Sequence, residues 1–103
     1  MDMVRKKRED RRHIVYRLYN MVSGEFYIGV TQGFRQKDLQ TRVIKHFQRA
    51  LGEDKQWKLC VNIRDYGPES FTWSIIEVIR GKTEAHKKER ELTKLLNPTL
   101  NTQ

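Results

Sequence analysis

The chain has 103 residues, with 21 Lys and Arg against 13 Asp and Glu, and its formal net charge is +8. This length suits one small domain, and an aromatic content of 10% can seed a single hydrophobic core. No apolar run is longer than three residues, which excludes a transmembrane helix and the apolar core of a secretory signal. Cys60 is the single cysteine, which excludes a disulfide framework and a cysteine-rich zinc site and favours a reducing, cytoplasmic compartment.

The excess of positive charge favours a polyanionic partner, and we expect nucleic acid rather than a membrane. A basic domain that is merely soluble is the alternative. Residues 1–12 carry six Lys and Arg side chains and almost no apolar ones, which predicts a flexible basic arm. The arm either adds salt-sensitive contacts to phosphates or is a solvated terminus without a role. One folded domain is expected over residues 13–103.

The folded region begins with a predicted β-hairpin. From His13 to Tyr19 the residues are mostly β-branched, aromatic or apolar, which predicts a strand. Residues 20–24 contain Asn, Ser and Gly and predict a turn. A second strand is predicted over residues 25–30, antiparallel to the first, and a loop over residues 31–35.

Three helices and a third strand complete the predicted domain. Helical periodicity extends over residues 36–51 and then over 55–66, and the apolar run 71–79 predicts the strand. Thr83 predicts the N-cap of a last helix over residues 84–96. The predicted inward residues of the first two helices are Leu39, Val43, Phe47, Ala50, Leu51, Leu59, Ile63 and Tyr66. The order β-β-α-α-β-α indicates an α+β fold, a small three-stranded antiparallel sheet flanked by about three helices.

A basic stripe borders the apolar face of the first helix. At 100° per residue, one narrow sector holds Arg35, Arg42, His46 and Arg49. Arg42 and His46 are four residues apart, so their side chains are neighbours. Helix geometry alone favours long side chains whose charged ends reach solvent at a helix boundary. A stripe that points into a groove is the functional alternative.

Glu89 is the second residue that a structural role alone does not explain. It shares one face of the last helix with Ala85, Leu92 and Leu96. A half-buried carboxylate needs a partner, which is either a base such as Arg42 or a metal ion. His86 is expected to be a solvated helix residue, and the three histidines are too scattered for a zinc site.

The hairpin resembles the signature of the GIY-YIG nuclease family. Tyr27, Ile28 and Gly29 repeat the second half of that signature. In the first half Tyr16 is retained, while Ile14-Val15 stands where the family has glycine and isoleucine. Without the resemblance, two tyrosines on adjacent strands are usually a packing pair.

Downstream features extend the resemblance from about His13 to Asn101. Arg42 and His46 resemble an Arg-xxx-His pair on the family's first helix, and Glu89 matches the glutamate of its last helix. The segment 97–101, NPTLN, resembles the motif at the C-terminal end of the family's domain. The spacing from Tyr27 to Arg42 is longer than in the family, so residues 31–37 are interpreted as an insertion. Catalytic domains of phage-encoded homing endonucleases are the most similar in pattern.

The resemblance implies a DNA endonuclease that hydrolyses phosphodiester bonds with one Mg²⁺, or alternatively Mn²⁺. It implies six catalytic residues: Tyr16, Tyr27, Arg42, His46, Glu89 and Asn101. Glu89 would hold the metal, Arg42 would contact phosphate, and either Tyr16 or His46 would be the general base. Tyr16 can act as a base only if nearby cations such as Arg42 or the metal lower its pKa. The residues expected to contact DNA are Arg35, Arg42, Lys45 and Arg49.

Two other functions stay open at this point. One is a DNA-binding module of the same fold that has lost catalysis, and the other is a basic structural protein of a nucleoprotein particle. A nuclease would be either free-standing or the catalytic part of a larger enzyme, in a bacterial host or a phage-infected cell. It would act as a monomer or as a transient dimer on DNA, because one site cuts one strand at a time.

Overall fold

The computed structural model describes residues 11–101, so the predicted arm lies largely outside the described residues. The helices and strands are β1 (Arg12–Asn20), β2 (Phe26–Gln32), α1 (Gln36–Gly52), α2 (Lys58–Tyr66), β3 (Phe71–Arg80) and α3 (Lys82–Leu96). A single 3₁₀ turn, Pro68–Ser70, links α2 to β3. The predicted element order and fold class are confirmed. No helix in the described part of the chain is long and apolar enough to cross a membrane.

The three strands form one antiparallel sheet in the order β2-β1-β3, so β1 is central. Helices cover both faces of β1. Tyr16 and Leu18 belong to the core cluster that includes residues of α1 and α2, whereas Val15 belongs to a smaller cluster with Ala85 of α3. A strand that is covered on both faces is apolar at nearly every position, which accounts for the run Ile14–Tyr16.

The C-terminal segment covers the free edge of β2. The side-chain amide of Asn101 accepts a hydrogen bond from the N–H of Ile28 at 2.9 Å and donates one to its carbonyl at 2.8 Å. The N–H of Leu100 also donates to the carbonyl of Phe26. An edge strand presents unpaired backbone groups, and these contacts satisfy several of them in place of a fourth strand.

Several predicted details are wrong. Leu51 is 61% exposed and Tyr66 is also exposed, and each lies at the C-terminal end of its helix. Thr83 is not the N-cap of α3, since the helix begins at Lys82 and the carbonyl of Gly81 already accepts the N–H of Ala85. β2 continues through Thr31 and Gln32, which were predicted to be in a loop.

The segment between α1 and α2 is an extended connection rather than the first turn of a helix. Arg64 of α2 donates hydrogen bonds to three backbone carbonyls of this region, those of Ala50, Glu53 and Lys55. These bonds satisfy backbone acceptors that a helix would have used, so α2 begins at Lys58 and not at residue 55.

Candidate active site

A cleft of about 540 Å³ opens where α1, the edge strand β2 and α3 meet. Five of the six residues predicted to be catalytic line it, and the sixth, Tyr16, lies behind the wall in contact with His46. The lining residues are Tyr27, Arg42, His46, Arg49, Trp57, Leu59, Cys60, Glu89 and Asn101. The fold therefore brings together residues that are separated by up to 85 positions in the chain.

Two tyrosines and a histidine form the deepest part of the cleft. The hydroxyl of Tyr16 lies 2.7 Å from Nε2 of His46, and both side chains are buried. The ring of Tyr27 meets the imidazole edge-on, with 5.4 Å between ring centroids. Tyr16 and Tyr27 are diagonal neighbours rather than opposite residues, because Tyr16 pairs with Gly29 across the hairpin.

Gly29 makes room for this arrangement. A Cβ atom at this position would lie 2.6 Å from the hydroxyl of Tyr16 and 2.7 Å from the ring of Tyr27. Such distances are well inside van der Waals contact, and the fully buried ring of Tyr16 has little space to move away. The glycine of the Tyr27–Gly29 segment is therefore explained by the close approach of the two tyrosines, and no left-handed backbone is involved.

Burial keeps both members of the hydrogen-bonded pair neutral at pH 7. The pKa of His46 is lowered to about 4 by burial and by the charges of Arg42 and Arg49. The pKa of Tyr16 is raised by burial and by Tyr27. Arg42 lowers the pKa of Tyr16, as expected from the sequence, but burial raises it by more. In the free protein the pKa of Tyr16 is therefore raised rather than lowered.

Arg42 lines the cleft with an unsatisfied donor. Its Nε atom is buried and has no hydrogen-bond partner among the described residues. An unpaired buried donor costs about 1–3 kcal/mol in stability, and a donor that belongs to a charged group costs more. This position is suited to an anionic acceptor that is absent from the protein itself.

Glu89 faces the same cleft from α3. Its Oε1 atom accepts a hydrogen bond from Nδ1 of His86 at 3.2 Å, and its side chain is 23% exposed. The expected ion pair with Arg42 is not formed within residues 11–101. His86 is partly solvated, with its side chain 40% exposed, and it is also the hydrogen-bond partner of Glu89. The negative charge of Glu89 also helps burial to raise the pKa of Tyr27.

The residues present fit a divalent cation that is bound largely through substrate and water. Among the described residues no group of three or more His, Cys, Asp or Glu side chains could hold a metal ion. Mg²⁺ typically keeps several waters and uses one or two carboxylates together with phosphate oxygens. A single partly exposed carboxylate in the same cleft as an arginine with a free donor is compatible with that mode.

The remaining predicted residues fall into different places. Arg49 lines the cleft, and Lys45 is exposed on α1. Arg35 does not line the cleft, since it precedes α1 and contacts Asp38 beside a separate groove. The amide of Asn101 is committed to the backbone of Ile28, so it anchors the segment that follows α3 beside the cleft.

Trp57 is a cleft residue that the sequence analysis missed. It is 44% exposed and immediately precedes α2. The signal was present, because a tryptophan in the otherwise polar segment 53–58 has no apolar neighbours to pack against in the sequence.

The comparisons with known proteins agree with the fold. The family model for the GIY-YIG catalytic domain matches residues 12–102. A solved structure of the catalytic domain of the homing endonuclease I-TevI superposes with a TM-score of 0.67 at 24% identity, over 82% of this chain and 88% of that one. A mutant of the same intron endonuclease domain gives a TM-score of 0.68 at 23% identity, over 84% of each chain. No curated protein sequence gives a significant match.

Proposed function

Because the chain belongs to the GIY-YIG catalytic domain family, we propose that it is a metal-dependent DNA endonuclease acting in this cleft. One observation carries the proposal. A single cleft joins a neutral, hydrogen-bonded Tyr16–His46 pair to an arginine with an unsatisfied donor and to a half-exposed carboxylate. Hydrolysis of a phosphodiester needs these three elements, a proton acceptor, a cationic clamp and a metal ligand.

The reaction changes two bonds at phosphorus. The oxygen of a water molecule bonds to phosphorus, and the bond from phosphorus to the 3′ oxygen breaks. The proton of the water passes to the protein, and the 3′ oxygen takes a proton from solvent. Negative charge grows on the phosphoryl oxygens in between, so preorganised donors lower the barrier more than flexible ones would.

Arg42 supplies the cationic clamp. Its planar guanidinium can meet two phosphate oxygens at once, and its buried Nε gains the acceptor that it lacks in the free protein. Arg49 lines the same wall and adds a second positive charge. Arg35 and Lys45, which lie outside the cleft, are suited to contacts with more distant phosphates.

His46 is the general base that finally holds the proton of the attacking water. It is neutral at pH 7 and lines the cleft, whereas Tyr16 is fully buried behind it. The hydroxyl of Tyr16 either passes the proton to Nε2 or orients the imidazole. Arg42 and Arg49 both lower the pKa of His46, and a bound phosphate offsets their charge. DNA binding therefore raises the pKa of His46 and makes it a better base in the complex.

Glu89 would hold the divalent metal, on which GIY-YIG nucleases generally depend. We propose Mg²⁺, with Mn²⁺ as a substitute. The bound ion supplies charge stabilisation at the phosphate and the leaving oxygen. The bond from His86 to Oε1 would help to orient the carboxylate that holds the ion. Tyr27, between Glu89 and His46, is suited to orient the water through its hydroxyl.

A DNA-binding module without catalysis is the alternative, and incubation of the protein with supercoiled plasmid separates the two. The reactions contain Mg²⁺, Mn²⁺ or EDTA and compare Glu89→Gln with Glu91→Gln. Glu91 is exposed on the same helix and is the matched control. We expect metal-dependent nicking that falls at least hundredfold in Glu89→Gln and is unchanged in Glu91→Gln, with DNA binding intact in both.

Two outcomes would contradict the nuclease function. Salt-sensitive DNA binding without cleavage of plasmid or branched DNA would favour the binding module. Cleavage that persists in Glu89→Gln at the wild-type rate would place the metal ligand elsewhere.

A further inference from the structure

Trp57 stands at the rim of the cleft with much of its indole ring open to solvent. Its side chain is 44% exposed, although tryptophan offers more apolar surface than any other residue. The same cleft is lined by Arg42 and Glu89, the proposed phosphate and metal residues. Trp73, the other tryptophan, packs instead against the core with its ring 6.0 Å from that of Phe47.

The connection that carries Trp57 is held in place by hydrogen bonds from α2. The guanidinium of Arg64 donates to the carbonyls of Ala50, Glu53 and Lys55, so one side chain fixes the backbone on the approach to the tryptophan. The carbonyl of Trp57 then accepts the first hydrogen bond of α2 from Val61. An aromatic ring on a supported backbone loses little entropy when it binds, which is how rigid aromatic anchors contribute to affinity.

Two cations lie close to the ring. The guanidinium carbon of Arg49 lies 5.6 Å from the ring centroid, and Nζ of Lys55 lies 5.0 Å from it. An exposed aromatic ring with cations beside it suits a ligand that is both planar and anionic along one side. A nucleobase with its phosphate has this character, whereas an apolar protein surface or a lipid chain does not.

Resting on the proposed function, we propose that the indole of Trp57 stacks on a nucleobase that is unstacked from the duplex next to the cleaved phosphate. In an intact duplex the neighbouring pairs cover both faces of a base, so stacking on Trp57 requires the base to leave the helix. Unstacking is costly in paired DNA and least costly at an unpaired base. Stacking on an aromatic side chain offsets part of that cost. The preferred substrate is therefore DNA with an unpaired or easily opened base at the cleavage site.

The test measures binding and tryptophan fluorescence in the Glu89→Gln background, where cleavage does not interfere. The probes are a short duplex with one unpaired adenine at its centre and the matched, fully paired duplex. We expect the unpaired probe to bind more tightly and to quench the fluorescence. In Trp57→Ala its affinity falls about tenfold, while the affinity for the paired duplex changes less than threefold. Trp57→Phe keeps the affinity and removes the quenching.

The matched control is Phe34→Ala. Phe34 is also exposed and also lies close to two arginines, Arg12 at 3.8 Å and Arg35 at 5.2 Å from its ring centroid, but it belongs to a different groove. The Phe34→Ala substitution should leave the discrimination between the two probes unchanged. Equal losses of affinity for both probes in Trp57→Ala, or the same quenching in Trp57→Phe, would overturn the proposal.

The two proposals fail in different ways. Absence of plasmid cleavage with intact discrimination by Trp57 would overturn the nuclease function alone. Metal-dependent cleavage that Trp57→Ala leaves unchanged on both kinds of DNA would overturn the stacking alone.

Discussion

The two walls of the cleft hold their side chains in different ways. On the wall formed by the sheet and α1, Tyr16 is fully buried and His46 is 7% exposed, and the two are 30 residues apart in the chain. On the wall formed by α3, Glu89 is 23% exposed and its hydrogen bond comes from a residue one turn away. The first wall depends on the whole fold, whereas the second depends on one helix.

This difference suits the two tasks that we propose for the walls. A group that moves a proton needs fixed geometry and a controlled pKa, which packing and burial provide. A carboxylate that shares a cation with phosphate and water has to adjust as the substrate arrives, and a half-exposed side chain can do so. Substitutions in the buried wall should therefore have larger effects than substitutions in the open one.

The largest effect is expected from the pH dependence of stability at His46. Its pKa is lowered from 6.5 to about 4 in the folded state, so the unfolded chain takes up the proton first as the pH falls. The contribution of His46 is fully favourable above pH 6.5 and is lost between pH 6.5 and about 4. The loss approaches about 3 kcal/mol in the free energy of unfolding. Urea denaturation of the wild type and of His46→Gln at several pH values measures it.

The comparison with His46→Gln isolates this residue from the carboxylates that also titrate in this range. The difference between the two unfolding free energies should shrink as the pH is lowered from 7 to 4. Parallel pH profiles for the two proteins would show that His46 stays accessible to protons in the folded state. That result would contradict the burial of His46 in this wall of the cleft.

Gly29→Ala breaks the buried wall by steric overlap. The added methyl group would lie 2.6 Å from the hydroxyl of Tyr16, so the tyrosine has to move and its bond to His46 is lost or lengthened. A displacement of about 1 Å at a reacting group can cost about hundredfold in rate. We expect that loss in metal-dependent cleavage, together with about 1–3 kcal/mol in stability.

The matched control for this substitution is Gly52→Ala. A Cβ atom at Gly52 meets nothing within 4 Å, and this residue ends α1. The cleavage rate and the thermal midpoint should stay at or above those of the wild type. Equal behaviour of the two alanine variants would mean that the Tyr16 hydroxyl does not depend on the close approach to Gly29.

The sequence predicts the fold well because its signals are local. Alternation and turn residues indicate the hairpin, and a spacing of three and four residues indicates α1 and its buried Leu39 and Val43. The errors occur where tertiary contacts decide. Leu51 continues the apolar stripe of α1 but is exposed at the C-terminal end of the helix, and His46, beside that stripe, is buried by the rings of the hairpin.

The candidate site could be assembled from the sequence only through the resemblance to a family. Helix periodicity brings Arg42 close to His46, but nothing local places Tyr16 against His46 or Asn101 against Ile28, which are 73 residues apart. The pKa values of Tyr16 and His46 were equally beyond the sequence, since burial is the first cause of both shifts.

The smallest effect is expected on the open wall, at His86. Its Nδ1–H donates to Oε1 of Glu89 and so limits the positions of the carboxylate without burying it. Loss of a partner that orients a metal ligand typically weakens metal binding by 10–100-fold, and the exposure of this pair places the effect near the low end. In His86→Ala the Mg²⁺ concentration for half-maximal cleavage should rise about tenfold, with the rate at saturating Mg²⁺ nearly unchanged.

His86→Gln, whose amide can donate the same bond, should recover part of the loss, and the exposed neighbour Lys87→Gln should show none. An unchanged Mg²⁺ requirement in His86→Ala would mean that Glu89 orients itself through the substrate alone, which would make the contrast between the two walls sharper still.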